Sequence, residues 1–334
     1  QLVYEMGDPT EYISPDVIAR FDTLQLEHVA ENRVRVSGAR GLPRPPMFKV
    51  SMAYDDGWKA EGEILVSGPD IRKKAAAVEE IFWRKVGHEF EKKATALVGA
   101  GSCWPASVAG PEPNEIYLRF GVADHDHGKI MDFAKALPAL ILAGPSGMAV
   151  STQGRPRPRQ VVAYWPALMR RDGVKAKILT LDSAGAEQFS EIEFPVRGEV
   201  GLPVSSDEPR AARRKFAATG ALKEVKLRRL CYARSGDKGD TCNIGILARS
   251  PRVYDWMVAK LTAQVVKKFF RGRALGKVTR YELDNLQGLN FLLEQALGGG
   301  GTTSLLVDPQ GKTMSQALLE MRVKVPVSLL RGLG

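Results

Sequence analysis

The sequence predicts an α+β fold in two parts: a β-rich layered α/β part over residues 1–200 and, after a linker at 201–223, a compact sheet with helices on one face over 224–330. Three observations predict it. Short runs of β-branched and aromatic residues, alternating with polar ones, recur up to residue 195 with only two sustained helical periods among them. Between 201 and 223 the period dissolves into Pro, Ser, Asp, Glu, Arg and Ala. Strand and helix patterns then follow one another closely to residue 325.

Taken in order, 33–37 and 48–53 alternate as strands. Asp55-Asp56-Gly57, between Tyr54 and Trp58, is a hairpin signal leading into a second strand over 60–66. Ser67-Gly68-Pro69-Asp70 opens a helix that covers one sheet face and runs to about Val98. Its apolar residues Ile71, Ala75, Val78, Ile81, Phe82, Val86, Phe90 and Leu97 recur at helical spacing. A strand over 115–122 precedes a helix over 128–142 that Pro138 interrupts, and strands resume over 160–165, 175–181 and 188–195.

Beyond the linker a strand over 226–233 leads into a Gly/Asp loop, Arg234 to Asp240, and the chain returns as a strand over 243–248. A helix over 251–270, a strand over 277–283 and a short helix near 289–297 precede the glycine run Gly298 to Gly301. A strand over 303–306, a turn at 308–311, a short helix and a strand over 319–325 complete the domain.

Composition bounds the function. The 334 residues are 44% hydrophobic and 26% charged, a globular balance with room for two or three domains. The most apolar stretch, 134–150, is broken by Lys135, Pro138, Gly144 and Pro145, which predicts a soluble protein that does not enter a membrane. Cys103, Cys231 and Cys242 are too scattered for a disulfide framework or a zinc site, so an intracellular reducing compartment is expected, cytoplasm or mitochondrial matrix. The net charge of +10 gathers at Arg213, Arg214, Lys215, Arg228 and Arg229 and again at 267–277. Such clusters attract polyanions, RNA among them, although a solvated linker is the plainer account. The chain begins at Gln1 with no targeting pattern.

Arg234-Ser235-Gly236-Asp237-Lys238-Gly239-Asp240, followed by Cys242-Asn243-Ile244-Gly245-Ile246, resembles the loop and strand of the ferredoxin-like domain attached to proteins of the acyclic terpene utilisation (AtuA) family. Tyr281 to Leu286, Leu289-Asn290-Phe291 and Ala296 to Gly300 recur in the same order there. Upstream, Gly7-Asp8-Pro9, Tyr12, Pro15-Asp16-Val17, Val34 to Gly41 and Lys49-Val50-Ser51 resemble the middle of the family's main domain, and Tyr164-Trp165-Pro166 resembles a signature near its end. The resemblance implies a ferredoxin-like α+β sandwich at the carboxy end and an association with acyclic terpene and branched acyl-CoA breakdown. It also implies a large α/β segment ahead of Gly-Asp-Pro, which this chain is expected to lack.

Two glycine-bearing segments carry the candidate chemistry. In Ser235, Gly236, Asp237, Lys238, Gly239 and Asp240, with Asn243 beyond, the glycines permit close approach of a ligand, successive amides can form an anion nest, and Lys238 offers a positive charge. The equally open alternative is a charged turn capped by its aspartates. Gly298, Gly299, Gly300, Gly301 and Thr302 repeat the choice between exposed amides and a helix cap with a loose loop. Both segments interrupt strands and are expected to lie together, with phosphate or a CoA thioester as the occupant. Asn285 and Asn290 flank the region and read as residues ordering their own loop. His125 and His127 could bring two ligands to a metal, but a third is lacking and a helix cap is the plainer reading. Cys103 has no partner His at a recognised spacing and reads as a packed thiol.

Two classes of function remain. One is an acyl-CoA-handling enzyme or enzyme subunit. The other is a non-catalytic, enzyme-derived subunit of a larger assembly, such as a mitochondrial ribonucleoprotein, touching RNA through the basic linker.

Overall fold

The computed structural model describes residues 2–108, 110–150, 154–192, 216 and 220–333. A helical turn α1 (Leu2–Glu5) is followed by β1 (Tyr12–Ile13) and β2 (Ile18–Arg20), a hairpin of β3 (Gln25–Ala30) and β4 (Arg33–Ser37), and β5 (Arg40–Leu42), which closes a small sheet in the order β1-β2-β5. The main sheet takes β6 (Met47–Ser67), α2 (Ile71–Val86), β7 (Lys92–Val98), β8 (Glu115–Asp124), α3 (His127–Ala136), the short α4 (Leu140–Ala143), β9 (Met148–Val150) and β10 (Arg159–Arg170). Its strands lie in the order β10-β6-β8-β7, with β9 against β6, and all pairings are antiparallel. A second hairpin, β11 (Ala176–Leu181) and β12 (Glu187–Ile192), follows.

Alternation assigns the two faces of this sheet. Ala60, Ile64 and Val66 of β6 and Ile116, Leu118, Phe120 and Val122 of β8 turn to α2 and α3, where Phe82 lies 4.2 Å from Phe120 and 5.4 Å from Phe133, ring to ring. Each fully buried Ile, Leu, Val or Phe among them contributes about 1.5–3 kcal/mol. The opposite face carries Lys59, Glu61 and Arg119, and the second domain packs there.

That domain contains β13 (Leu222–Lys226), β14 (Cys231–Lys238), β15 (Thr241–Ala248), α5 (Pro251–Lys260), α6 (Ala263–Phe269), β16 (Val278–Leu283), β17 (Gly288–Leu293), α7 (Met314–Leu319) and β18 (Arg322–Pro326). Its four-stranded antiparallel sheet is ordered β14-β15-β17-β16, and β13 pairs with β18. Cys242, Ile244, Ile246, Leu289, Phe291 and Leu293 point to the helices, making a core with Val253, Met257, Val266, Phe270 and Leu318. The other face receives α1 from the far end of the chain: Val3 and Met6 pack with Leu24, Leu247 and Leu283.

Several expectations are corrected. Asp55-Asp56-Gly57 makes no hairpin: β6 runs straight through it, and the register against β10 slips between Gln160 and Val162. The segment is a bulge, with Gly57 at φ +78° and its amide on Asp55 Oδ1. The helix from Ile71 stops at Gly87, φ +67°, and Lys92–Val98 is a strand. Residues 226–233 divide into β13, a 3₁₀ turn and β14, and 251–270 divide at Thr262, whose hydroxyl caps α6. The stretch near 289–297 holds β17, a central strand paired on both sides, and 303–306 forms no strand. The linker ends by Leu222, where β13 begins; Arg213, Arg214 and Lys215 lie outside the described residues. No helix among the described residues is long and apolar enough to cross a membrane.

Candidate functional site

The Arg234 to Asp240 segment is strand nearly to its end. β14 pairs with β15 through Lys238 and Thr241, so only Gly239 and Asp240 form the hairpin tip, with Gly239 at φ +66°. Strand alternation divides the motif. Ser235 is buried on the helix face, where its hydroxyl donates to Gly311 O (2.6 Å) and accepts from Ser315 N (2.9 Å). Gly236 lies under Tyr4: a Cβ there would meet the Tyr4 ring at 2.7 Å, while its φ is not positive. Asn243 also points at the amino-terminal segment, donating to Met6 O (2.5 Å), and Asn290 donates to the same oxygen (2.6 Å) and to Gly7 O (2.9 Å). Asn285 donates to Phe21 O and Leu24 O. Asn243 and Asn290 hold Met6 and Gly7 against the sheet, and Asn285 holds Phe21 and Leu24; none orders its own loop.

The two glycine segments do come together. Asp240 Oδ1 accepts from Leu297 N (3.1 Å) and Gly299 N (2.8 Å), and its carbonyl accepts from Ala296 N (3.0 Å). Gly298, Gly299 and Gly300 all have positive φ, and a Cβ on Gly300 would stand 3.1 Å from the Gly239 carbonyl. Both loops are therefore one unit, seated on the first domain. Buried Lys59 donates to Thr302 O (2.6 Å) and Ser304 O (3.3 Å), and Arg119, paired with Glu61 at 2.8 Å, donates to Leu305 O (2.8 Å). Burial pushes the Lys59 ammonium below its usual range.

Between this unit and the edge of β10 lies a cleft of about 900 Å³. Asp237 to Thr241 and Gly299 to Thr303 form one wall, and Tyr54, Tyr164, Trp165 and Pro166 form the other, with Lys92 and Asp56 at the rim between them. Thr303 Oγ1 is buried beside Gly299 with no hydrogen-bond partner among the described residues. Two ammoniums and three carboxylates line the cleft, but they are not equally available. Lys238 Nζ sits 3.0 Å from Glu5 Oε2, and that bond holds the Glu5 carboxyl below its usual range against the opposing effect of burial. Asp240 is committed to loop amides. The anion nest expected here is accordingly reduced: the Gly299 amide serves Asp240 and the Gly300 amide reaches Leu297 O (3.4 Å). What remains is a cleft with a polar backbone wall, a free-standing Lys92 and an aromatic wall.

The other candidates lie elsewhere. Arg228 and Arg229 line a separate groove of about 590 Å³ with Lys223, Lys226 and Arg249, and Glu320, outside that lining, pairs with Lys226 (2.5 Å) and Arg228 (2.9 Å). His125 Nδ1 lies 2.8 Å from Glu91 Oε1, which raises its imidazole above the usual range, whereas His127 packs on Trp58 at 4.5 Å. The two rings have separate partners, and Asp126 caps α3 through Gly128 N and Lys129 N. Cys231 and Cys242 are buried, and burial pushes the Cys231 thiol up to about 12. Lys59, Lys92, Tyr54 and Arg119 escaped the sequence reading. Nothing in the sequence around Lys59 sets it apart, since β6 also carries Lys49, Asp55, Asp56, Glu61 and Glu63.

The model of the acyclic terpene utilisation family protein AtuA matches residues 1–180, and that of the AtuA ferredoxin-like domain matches residues 225–324. Neither a curated protein nor a solved structure matches the chain. The cleft draws one wall from each matched segment.

Proposed function

Since this chain belongs to the acyclic terpene utilisation (AtuA) family and carries its ferredoxin-like domain, we propose that it binds the thioester of an acyclic or branched acyl chain with CoA in the cleft between its two parts. The observation that supports this reading is the polarity across the cleft. Asp56, Asp237 and loop carbonyls offer acceptors to the amides and hydroxyl of a pantetheine arm, Lys92 offers a cation to phosphate, and Tyr54 and Trp165 offer an apolar surface to the acyl end. Carboxylates outnumber ammoniums on the walls, so the phosphates belong at the Lys92 rim and not deep in the cleft.

Titration calorimetry with an acyl-CoA, free CoA and the free acid tests it. Lys92→Ala is expected to weaken both CoA ligands by about 1–3 kcal/mol, the scale of a charge-assisted hydrogen bond. Trp165→Ala is expected to weaken the acyl thioester and spare free CoA. Equal affinity of the parent and both variants for all three compounds rejects the site.

The basic groove favours a second reading, an interaction subunit that touches RNA. Five cations line the groove, and among them Lys226 and Arg228 pair with Glu320. Binding of single-stranded RNA should then fall steeply with salt and weaken in Arg228→Ala/Arg229→Ala. No binding at low salt reduces the groove to a solvated surface.

A further inference from the structure

The turn that joins α6 to β16, residues 270–277, is fastened to the second domain along its length. Phe270 O accepts from Arg273 N (2.9 Å) and Ala274 N (3.0 Å), Leu275 N donates to Gln295 O (3.3 Å), and Gly276 N donates to Glu294 O (3.0 Å). Lys267 Nζ donates to Leu275 O and Gly276 O. Gly276 lies so close to the end of β17 that a Cβ would stand 2.7 Å from Glu294 Cβ. Phe270 and Ala274 are buried, yet Leu275 is 70% exposed. Its backbone is pinned and its side chain is not packed, so the leucine is held outward at a fixed place. Cations surround it. A shallow groove of about 680 Å³ here is lined by Lys267, Lys268, Arg271 and Lys277 together with Ala274, Leu275 and Val278, and no carboxylate lines it. Lys268, Arg271 and Lys277 are exposed and pair with no acidic side chain among the described residues. Val265, 38% exposed, adds apolar surface one turn before Lys268.

We propose that this face docks on the surface of a bilayer that carries anionic lipid, with Leu275 lodged at the headgroup level and Lys268, Arg271 and Lys277 on the surrounding headgroup anions. The contact is an adsorption and not a crossing, in keeping with helices too short or too polar to span among the described residues. The chemistry selects a membrane among polyanions. A single-stranded RNA finds no aromatic ring in this groove to stack on. A leucine held among cations gains only where apolar chains lie directly beneath the anions, which is the arrangement of a bilayer. Each cation near such a surface raises the partition about fivefold, an effect that salt screens. Removing the leucine from water adds about tenfold or more. The groove shares no residue with the cleft or with the groove at Arg228 and Arg229, so the docking goes beyond the ligand reading and does not rest on it.

Co-sedimentation of the full-length chain with vesicles, in the absence of CoA compounds, tests the proposal. The parent is expected to bind vesicles in which about a third of the phosphatidylcholine is replaced by phosphatidylserine, to leave pure phosphatidylcholine vesicles unbound, and to be released by salt. Lys268→Glu/Arg271→Glu is expected to weaken binding by more than about a hundredfold, and Leu275→Ser by about tenfold. Both variants should keep the parent's circular dichroism, because the three side chains are exposed. Arg228→Ala/Arg229→Ala is expected to sediment as the parent does, which separates this face from the other basic groove. Failure of the parent to bind anionic vesicles at low salt overturns the proposal. So does a Leu275→Ser variant that binds as the parent does, since the face is then a site for soluble polyanions such as RNA. Vesicle binding that survives the double charge reversal overturns it as well, by placing the contact elsewhere in the chain. Should the double reversal misfold, the salt dependence of the parent and the affinity of Leu275→Ser decide between the same outcomes.

Discussion

Asn243 and Asn290 converge on one acceptor, the Met6 carbonyl, at 2.5 and 2.6 Å, and both lie fully buried with their Oδ1 atoms unpartnered among the described residues. Asn290→Ala is expected to lower stability by about 1–3 kcal/mol in urea titration, because it strands one buried carbonyl at Gly7 and weakens the hold on another. Gly236 has a different basis. Its φ is not positive, so the requirement for glycine comes from the Tyr4 ring lying where a Cβ would be. A Gly236→Ala penalty should therefore shrink in a Tyr4→Ala background; an equal penalty in both backgrounds would show that backbone strain, and not contact, is the cause. At this scale the sequence displayed the right residues but not their roles. Period-2 alternation sends Ser235 to the helices and Gly236 to α1, and nothing in the linear order of Ser-Gly-Asp-Lys-Gly-Asp says that Glu5, more than two hundred positions away, will hold Lys238.

The elements were legible where one face of an element is polar, as in β8 and, up to Gly87, in α2. Legibility failed where both faces are buried: β17 is an apolar run with neighbours on each side, and such a run carries no period to separate strand from helix. Gly57 was read as a turn because Asp-Asp-Gly supports φ > 0, yet β10 runs alongside both halves of β6 and keeps the strand continuous, so the same conformation makes a bulge. Gly57→Ala should cost about 1–3 kcal/mol, since its Cβ would stand 2.8 Å from Asp124 O at φ +78°. Asp124 itself anchors the start of α3. Burial pushes its carboxyl up, but the Asp126 amide, Lys129 and the Glu91 amide outweigh this and hold it below the usual carboxylate range. A depressed carboxylate contributes stability above its unfolded value, and loses it as pH falls through the folded one. Asp124→Asn should therefore flatten the loss of stability below about pH 4 in acid titrations followed by circular dichroism, and an unchanged acid limb would assign that loss to other carboxylates.

At the scale of the molecule, the chain starts in the second domain, leaves to build the first, and returns. Val3 and Met6 belong to a cluster with Leu283, while the sheet between them in sequence has its own core. This order of packing explains why the linker, visible in composition, is a poor guide to which residues fold together. The two bodies are joined by polar contacts: Lys59 reaches Thr302 and Ser304, and Arg119, held by Glu61, reaches Leu305. Charged donors on backbone carbonyls are directional, so the joint is stiff only while both are present. Calorimetry of the parent should therefore show one transition, and Lys59→Met/Arg119→Met should divide it into two, because each body retains its own buried cluster once the donors are gone. Adding Asn290→Ala should then lower only one of the two transitions, that of the ferredoxin-like domain, since Met6 and Gly7 are held by its sheet. A single transition surviving in the double variant would place the coupling in the apolar contacts, such as Leu305 against Gly121, instead of in the donors.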